Sequence, residues 1–256
     1  LPVIEPVRRL YLEKLEEKRL RLALVVAIQQ ADDSAVSAYA DQLFGRPLQT
    51  NQACRDEFNR ILARAHELHT HQHSVNSQSM QLMVQSALDY YGITDWKIKT
   101  TSRTSASIIH GGKNSGAIFK IPKTFSSSRA RASRVITHEI EVHALRRKNG
   151  LESPIQLLGH GCAGYIDADE GLAIAMQQKL RSEEAVDPGF WDLWTCVLTK
   201  DYGFLDAYET IFQARLQLNK KMNLSNAESK AKHTAWRLML RTSRGIHKPE
   251  LPGIGY

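Results

Sequence analysis

Apolar and polar positions alternate with helical periodicity along the first third of the chain. Residues 6 to 30 read as one long amphipathic helix, and a second covers about Ser34 to Phe44, ended by Gly45 and Pro47. A third runs from about Gln52 to Leu68, and Ser77 caps another that continues through Tyr91 and closes at Gly92. These faces have the spacing of core-packing helices and carry no chemistry. The texture then changes. Trp96 to Thr101 alternates, Ser105 to His110 and Ala117 to Ile121 are rich in β-formers, and the Gly/Asn-rich turn between the last two predicts a hairpin.

Helical patterning returns at Arg134 to Gly150. Val135, Ile136, Ile140, Val142 and Leu145 form its apolar face, Arg146, Arg147 and Lys148 load its last turn, and Asn149-Gly150 stop it. Asp169-Glu170-Gly171-Leu172-Ala173 opens a second apolar helix, with Glu170 in or near its first turn. Three more helices are expected. One starts at Asp187-Pro188, one spans Phe204 to Leu218, and one runs from a capping box at Ser225-Asn-Ala-Glu228 to about Arg241. Residues 245 to 256, punctuated by Gly and Pro, read as extended. The fold expected is α+β and mostly helical, with an N-terminal helical portion over 1–94 and a small antiparallel sheet in a domain over 95–256.

Composition bounds this picture. A chain of 256 residues that is 42% hydrophobic can bury one substantial core. No apolar run reaches membrane-spanning length, and the first 30 residues lack the shape of a signal peptide. Three cysteines (Cys54, Cys162, Cys196) share no C-x-x-C spacing and leave an odd thiol, which suits a reducing cytoplasm. The net charge of +7 fits either an ordinary basic enzyme surface or attraction to acidic substrates, while no motif points to specific nucleic-acid binding.

The candidate chemistry lies in the helix from Arg134. His138, Glu139, Glu141 and His143 interrupt its apolar pattern, and buried charges of this kind need a partner, for which a divalent metal would serve. The spacing is H-E-x-x-x-H, one residue longer than the familiar zinc signature. In a regular α-helix, five residues carry the second imidazole about 140° away from the first. Glu139 and His143, four apart, would there make an ordinary surface pair. A π-type turn would instead bring both imidazoles into line. A two-His helix followed by a Glu-bearing helix is the ligand logic of a His/His/Glu zinc hydrolase, whose three protein ligands leave a position for water. A second histidine group (His66, His69, His71, His73) lacks any carboxylate or cysteine framework and reads as a solvated helix end and loop.

The run H-E-I-x-x-H-x-L-R-x-x-N-G, then G-x-x-G-Y, then E-G-L-A resembles the microtubule-associated tyrosine carboxypeptidase (MATCAP) family and its bacterial relatives. The likeness spans roughly residues 95 to 256, with a looser helical likeness before that, and includes an R-x-x-R-G echo at Arg241 to Gly245. It implies a zincin-like core and a zinc ion held by His138, His143 and Glu170, with Glu139 as the catalytic carboxylate. Relatives continue past Tyr256, so the domain is expected to be truncated at its C-terminal end. Glu141-Val142 stands where a small residue and Thr are expected, a difference that bears on substrate preference.

The expected activity is removal of an aromatic residue from a peptide or protein C-terminus. Arg244, then Arg241, are the candidates for gripping the free carboxylate, and Tyr165 for donating to the oxyanion. His160 is a candidate for orienting a ligand. Ala117 to Ile121 is the candidate strand for pairing with an extended substrate. A non-catalytic binding domain on the same fold is the alternative, as is a zinc aminopeptidase or endopeptidase. An intact Glu139 argues against the non-catalytic reading.

Overall fold

The computed structural model describes residues 4–65, 74–102, 107–109, 116–180 and 188–243. The histidine cluster from His66 to His73, Arg244 and the segment after it lie outside these residues. The fold is α+β and mostly helical, in two compact units: residues 1–11 with 70–183, and 12–69 with 184–256. The 94/95 division drawn from sequence falls inside the first of these. No helix among the described residues is long and apolar enough to cross a membrane. No disulfide links the three cysteines.

The second unit is helical. Most of α1 (Glu5–Gln29) belongs to it, with α2 (Asp33–Phe44) and α3 (Asn51–Ala63). Asp32 and Thr50 cap the latter two by accepting from the backbone N–H of Ala35 and Ala53. The principal core of this unit joins Cys54 and Phe58 to three later helices, α9 (Pro188–Asp201), α10 (Phe204–Lys221) and α11 (Ala227–Thr242), around Trp191, Trp194, Ile211 and Met239. The Trp194 indole N–H is satisfied by Asn51 Oδ1 at 2.9 Å. The capping box expected at Ser225 does not form. Asn226, in the left-handed region, begins α11 without a side-chain cap, and Glu228 pairs with Lys232 instead.

The first unit carries the candidate site. Strand β1 (Val75–Asn76) leads into α4 (Ser77–Tyr90), whose cap is Asn76 rather than Ser77, accepting from Ser79 N–H. Strands β2 (Lys97–Thr101), β3 (Ser107–Ile109) and β4 (Ile118–Pro122) form one sheet in the order β2-β4-β3, and β5 (Ser126–Ser127) pairs antiparallel with β1. The expected hairpin is present as the antiparallel β3–β4 pair, but β2 lies parallel to β4. Ile118 to Lys120 are therefore bonded on both sides, so this strand has no open edge there for a substrate backbone. The role proposed for Ala117 to Ile121 is overturned for that reason.

A continuous helical run follows: α5 (Arg129–Ile136), a π-helical segment (Thr137–Ala144) and α6 (Leu145–Glu152). Ala132, Ile136, Ile140 and Ala144, spaced by four, enter the unit's core with Phe119 and Ile121 of β4 and Met80, Val84 and Leu88 of α4. The run passes through Gly150 instead of stopping there. A Cβ at Gly150 would overlap the backbone of Gly159 in α7 (Leu157–His160), so this glycine serves close helix approach rather than capping. The last helix, α8 (Tyr165–Lys179), begins four residues earlier than expected, after Gly164 in the left-handed region, which puts Glu170 in its second turn.

Gly150→Ala should lower stability by about 1–3 kcal/mol, since overpacking outweighs the helix propensity gained. Gly171→Ala, in helical backbone with open space around it, should instead raise stability by roughly 0.5–1 kcal/mol. Chemical denaturation of the two variants checks the opposite signs.

Candidate metal centre

His138 and His143 both belong to the π-helical segment, five residues apart. The wider turn does what a regular helix could not. Their ring centroids lie 4.7 Å apart at 80°, and both aim Nε2 at the same carboxylate. Glu170, from the second turn of α8, lies between them, with its Oε2 3.3 Å from His138 Nε2 and its Oε1 3.4 Å from His143 Nε2. The backbone bond from Leu145 N–H to Ile140 C=O closes the irregular stretch at i→i+5. The segment is longer than the single turn the spacing required.

The donor set fits a divalent ion. One atom from each of His138, His143 and Glu170 can be chosen so that all lie within 4.8 Å of one another. A tetrahedral centre with ligands at about 2.0–2.1 Å separates its donors by roughly 3.3–3.4 Å. Each His–Glu separation above is close to that spacing, His138 through Oε2 and His143 through Oε1. Helix α8 is held in place for this by its inner face, where Asp169, Glu170, the fully buried Ala173 and Gln177 recur at helical spacing, and Gln177 Nε2 donates to the Arg134 carbonyl at 3.2 Å.

His143 is buried, not part of a surface pair with Glu139. Its Nδ1–H donates to Asp169 Oδ2 at 2.9 Å. Asp169 Oδ1 accepts from Arg146 Nε at 2.9 Å, and Arg146 Nη1 donates to the carbonyls of Leu158 and Gly159 at 3.1 and 3.2 Å. The same guanidinium lies 4.9 Å above the Tyr165 ring.

The protonation preferences follow from burial and neighbours. Glu139 is pushed up by desolvation, against the pull of His138 and His143. Glu170 is held below its ordinary value, first by the hydrogen bond from His138. For His138 desolvation favours the neutral ring, yet the bond to Glu170 and the fields of Glu139, Glu170 and Asp169 together raise its pKa.

The structure thus brings His138, His143 and Glu170 together, with Glu139 close enough to feel all three charges. Tyr165 opens α8, its ring packed between Arg146 and the backbone of Gly161. Arg241 belongs to the second unit, where it pairs with Asp192 at 3.3 Å. His160 ends α7 on the exposed surface, and the residue on His143 is Asp169. Glu141, the departure from the family pattern, accepts from the Tyr91 hydroxyl at the end of α4. Sequence reasoning missed Asp169 and Arg146. Asp169 stands beside Glu170, whereas Arg146 opens a basic run of the kind that loads a helix's last turn, and the helix itself ends at Glu152.

A helix-borne pair of histidines closed by a carboxylate from a second helix, with a half-buried glutamate beside the first histidine, is the donor arrangement of metal-dependent hydrolases. Comparison with known families narrows this. The model of the microtubule-associated tyrosine carboxypeptidase family matches residues 3–181, well over half of the chain, and the chain belongs to that family. The match takes in the N-terminal helices, which the motifs reached only loosely, and ends before Arg241 to Gly245. No curated protein matches the chain.

His143→Ala should remove the divalent ion from protein prepared with it, and Glu170→Ala should weaken its retention. Elemental analysis of the wild type and both variants checks this, and undiminished metal in His143→Ala would move the site elsewhere.

Proposed function

We propose that the protein is a zinc-dependent carboxypeptidase that removes a C-terminal residue, aromatic and by the family's description tyrosine, from a peptide or protein. The observation that carries this reading is the convergence of His138, His143 and Glu170 on one point through a π-helical segment. Such segments occur mostly at functional sites, where the irregularity is retained because the side chains it aims are needed. Zinc suits this donor set, and when bound by these three residues it supplies polarisation of water and of the scissile carbonyl.

The remaining steps fall to the chain's own residues. Glu139, adjacent to His138 and partly buried, takes a proton from the attacking water and returns it to the departing amine. Desolvation strengthens its charge interactions with the nearby histidines and holds it away from bulk solvent. Tyr165 is the candidate donor toward the developing oxyanion. A free C-terminal carboxylate requires a positioned cation, for which Arg244 is the first candidate and Arg241 the second. The net charge of +7 supports an acidic peptide tail as the preferred substrate.

Glu139→Gln should retain zinc, since Glu139 is not among the donors, yet lose about 10²–10⁴-fold in peptide hydrolysis. Amidating the C-terminus of a peptide should block its cleavage while acetylating its N-terminus leaves cleavage intact, and Arg244→Ala should raise KM for free-carboxylate peptides. Elemental analysis reads the retained zinc, and mass spectrometry of the products over time reads the cleavage outcomes. Cleavage indifferent to amidation would discard the carboxypeptidase polarity, and an active Glu139→Gln would discard the mechanism.

A further inference from the structure

The two histidines of the cluster are supported unequally. Those of His143 are fixed from both ends: Nε2 faces Glu170, and Nδ1–H is committed to Asp169 at 2.9 Å. An ionised carboxylate only accepts, so this bond selects the tautomer that leaves the Nε2 lone pair pointing into the cluster. Among the described residues His138 has no such support: its Nδ1 is buried without a hydrogen-bond partner, and its Nε2 faces Glu170 at 3.3 Å.

The Asp169 carboxylate is itself held. Its side chain is 9% exposed, one oxygen is given to His143 and the other to Arg146. Arg146 then reaches across three elements. From α6 it bonds Asp169 of α8, donates to two successive carbonyls of α7, and lies on the Tyr165 ring. The carbonyls of Leu158 and Gly159 stand where they do because Gly150 and Gly159 let the α6 and α7 backbones touch. A guanidinium with its donors aimed at fixed acceptors in separate elements cannot turn without breaking several contacts at once.

We propose that Asp169, locked by Arg146, is a positioning residue that sets His143 in its metal-binding tautomer and orientation before any metal arrives, while His138 is set chiefly by the cluster itself. This rests on the reading of His138, His143 and Glu170 as a zinc site. The competing role for the same pair is a plain structural tie between α6 and α8. The two differ in what they demand of metal affinity, because a tie affects folding and a positioning contact affects the ligand.

The test uses the full chain, with zinc affinity measured by chelator competition and the metal-free histidines observed by long-range proton–nitrogen NMR. Asp169→Ala should weaken zinc binding by about 10–100-fold, and Arg146→Ala should weaken it in the same direction. Asp169→Asn, whose amide oxygen still accepts from Nδ1–H, should lose less. In metal-free wild type His143 should show the Nδ1–H tautomer, and in Asp169→Ala a mixture. Asn219→Ala removes the buried donor to the Ala227 carbonyl in the second unit, and should lower the melting temperature without changing zinc affinity. Should Asp169→Ala fail to fold, Arg146→Ala, read by zinc affinity and by the His143 tautomer, carries the comparison against Asn219→Ala. Wild-type zinc affinity in Asp169→Ala and Arg146→Ala, or an unchanged His143 tautomer in Asp169→Ala, would overturn the positioning role and leave the zinc site standing. Equal binding by wild type and His143→Ala would instead overturn the zinc site, and this role with it.

Discussion

Two imidazoles five residues apart can face one point only where the helix between them widens, and the site depends on that widening. A π-helical stretch packs less well around its own axis than an α-helix, so it persists where surrounding contacts hold it. Here the support is two-sided. Ile136, Ile140 and Ala144 are buried against the sheet and α4, while the opposite face meets Glu170 and Asp169 of α8. The core therefore fixes the helix in the geometry that the site requires, and a change on either side is felt on the other.

The charge distribution in the cluster follows from this placement. Three carboxylates and two imidazoles share a small, partly desolvated volume, and their neighbours sort them. Glu170 takes the imidazole contacts and is held low, Asp169 is paired with His143 and Arg146, and Glu139 is pushed up by desolvation. One carboxylate among the donors, one behind a histidine and one beside the cluster is a division of roles set by environment, since all three side chains carry the same chemistry.

The glycines show the same dependence on packing. Gly150 follows Asn149 in a pattern that signals a helix stop, and the local rule is sound for an isolated helix. It fails here because α7 needs the space a Cβ would occupy, and the helix gains two further residues in consequence. Ser77 and Ser225 misled for a related reason. Each is a good capping residue one or two positions from the true start, and the neighbouring Asn76 and Asn226 begin the helices instead.

The sequence by itself determined the mostly helical fold, the position of the helix that bears the histidines, and the set His138, His143 and Glu170. Granted one shared ion, the spacing also called for the irregular turn, because five residues of α-helix cannot align two rings. The central place of β4 was not visible, since strand order depends on which edges meet in space, and β2 could pair parallel to β4 only after the chain had folded back. Asp169 and Arg146 were hidden for the same reason. Their meaning lies in contacts across 26 and 23 residues of chain, and such contacts have no period for a pattern to carry. Periodicity and spacing report what one element presents along its own axis. Which side chains of separate elements meet is decided by packing, and only the tertiary structure contains it.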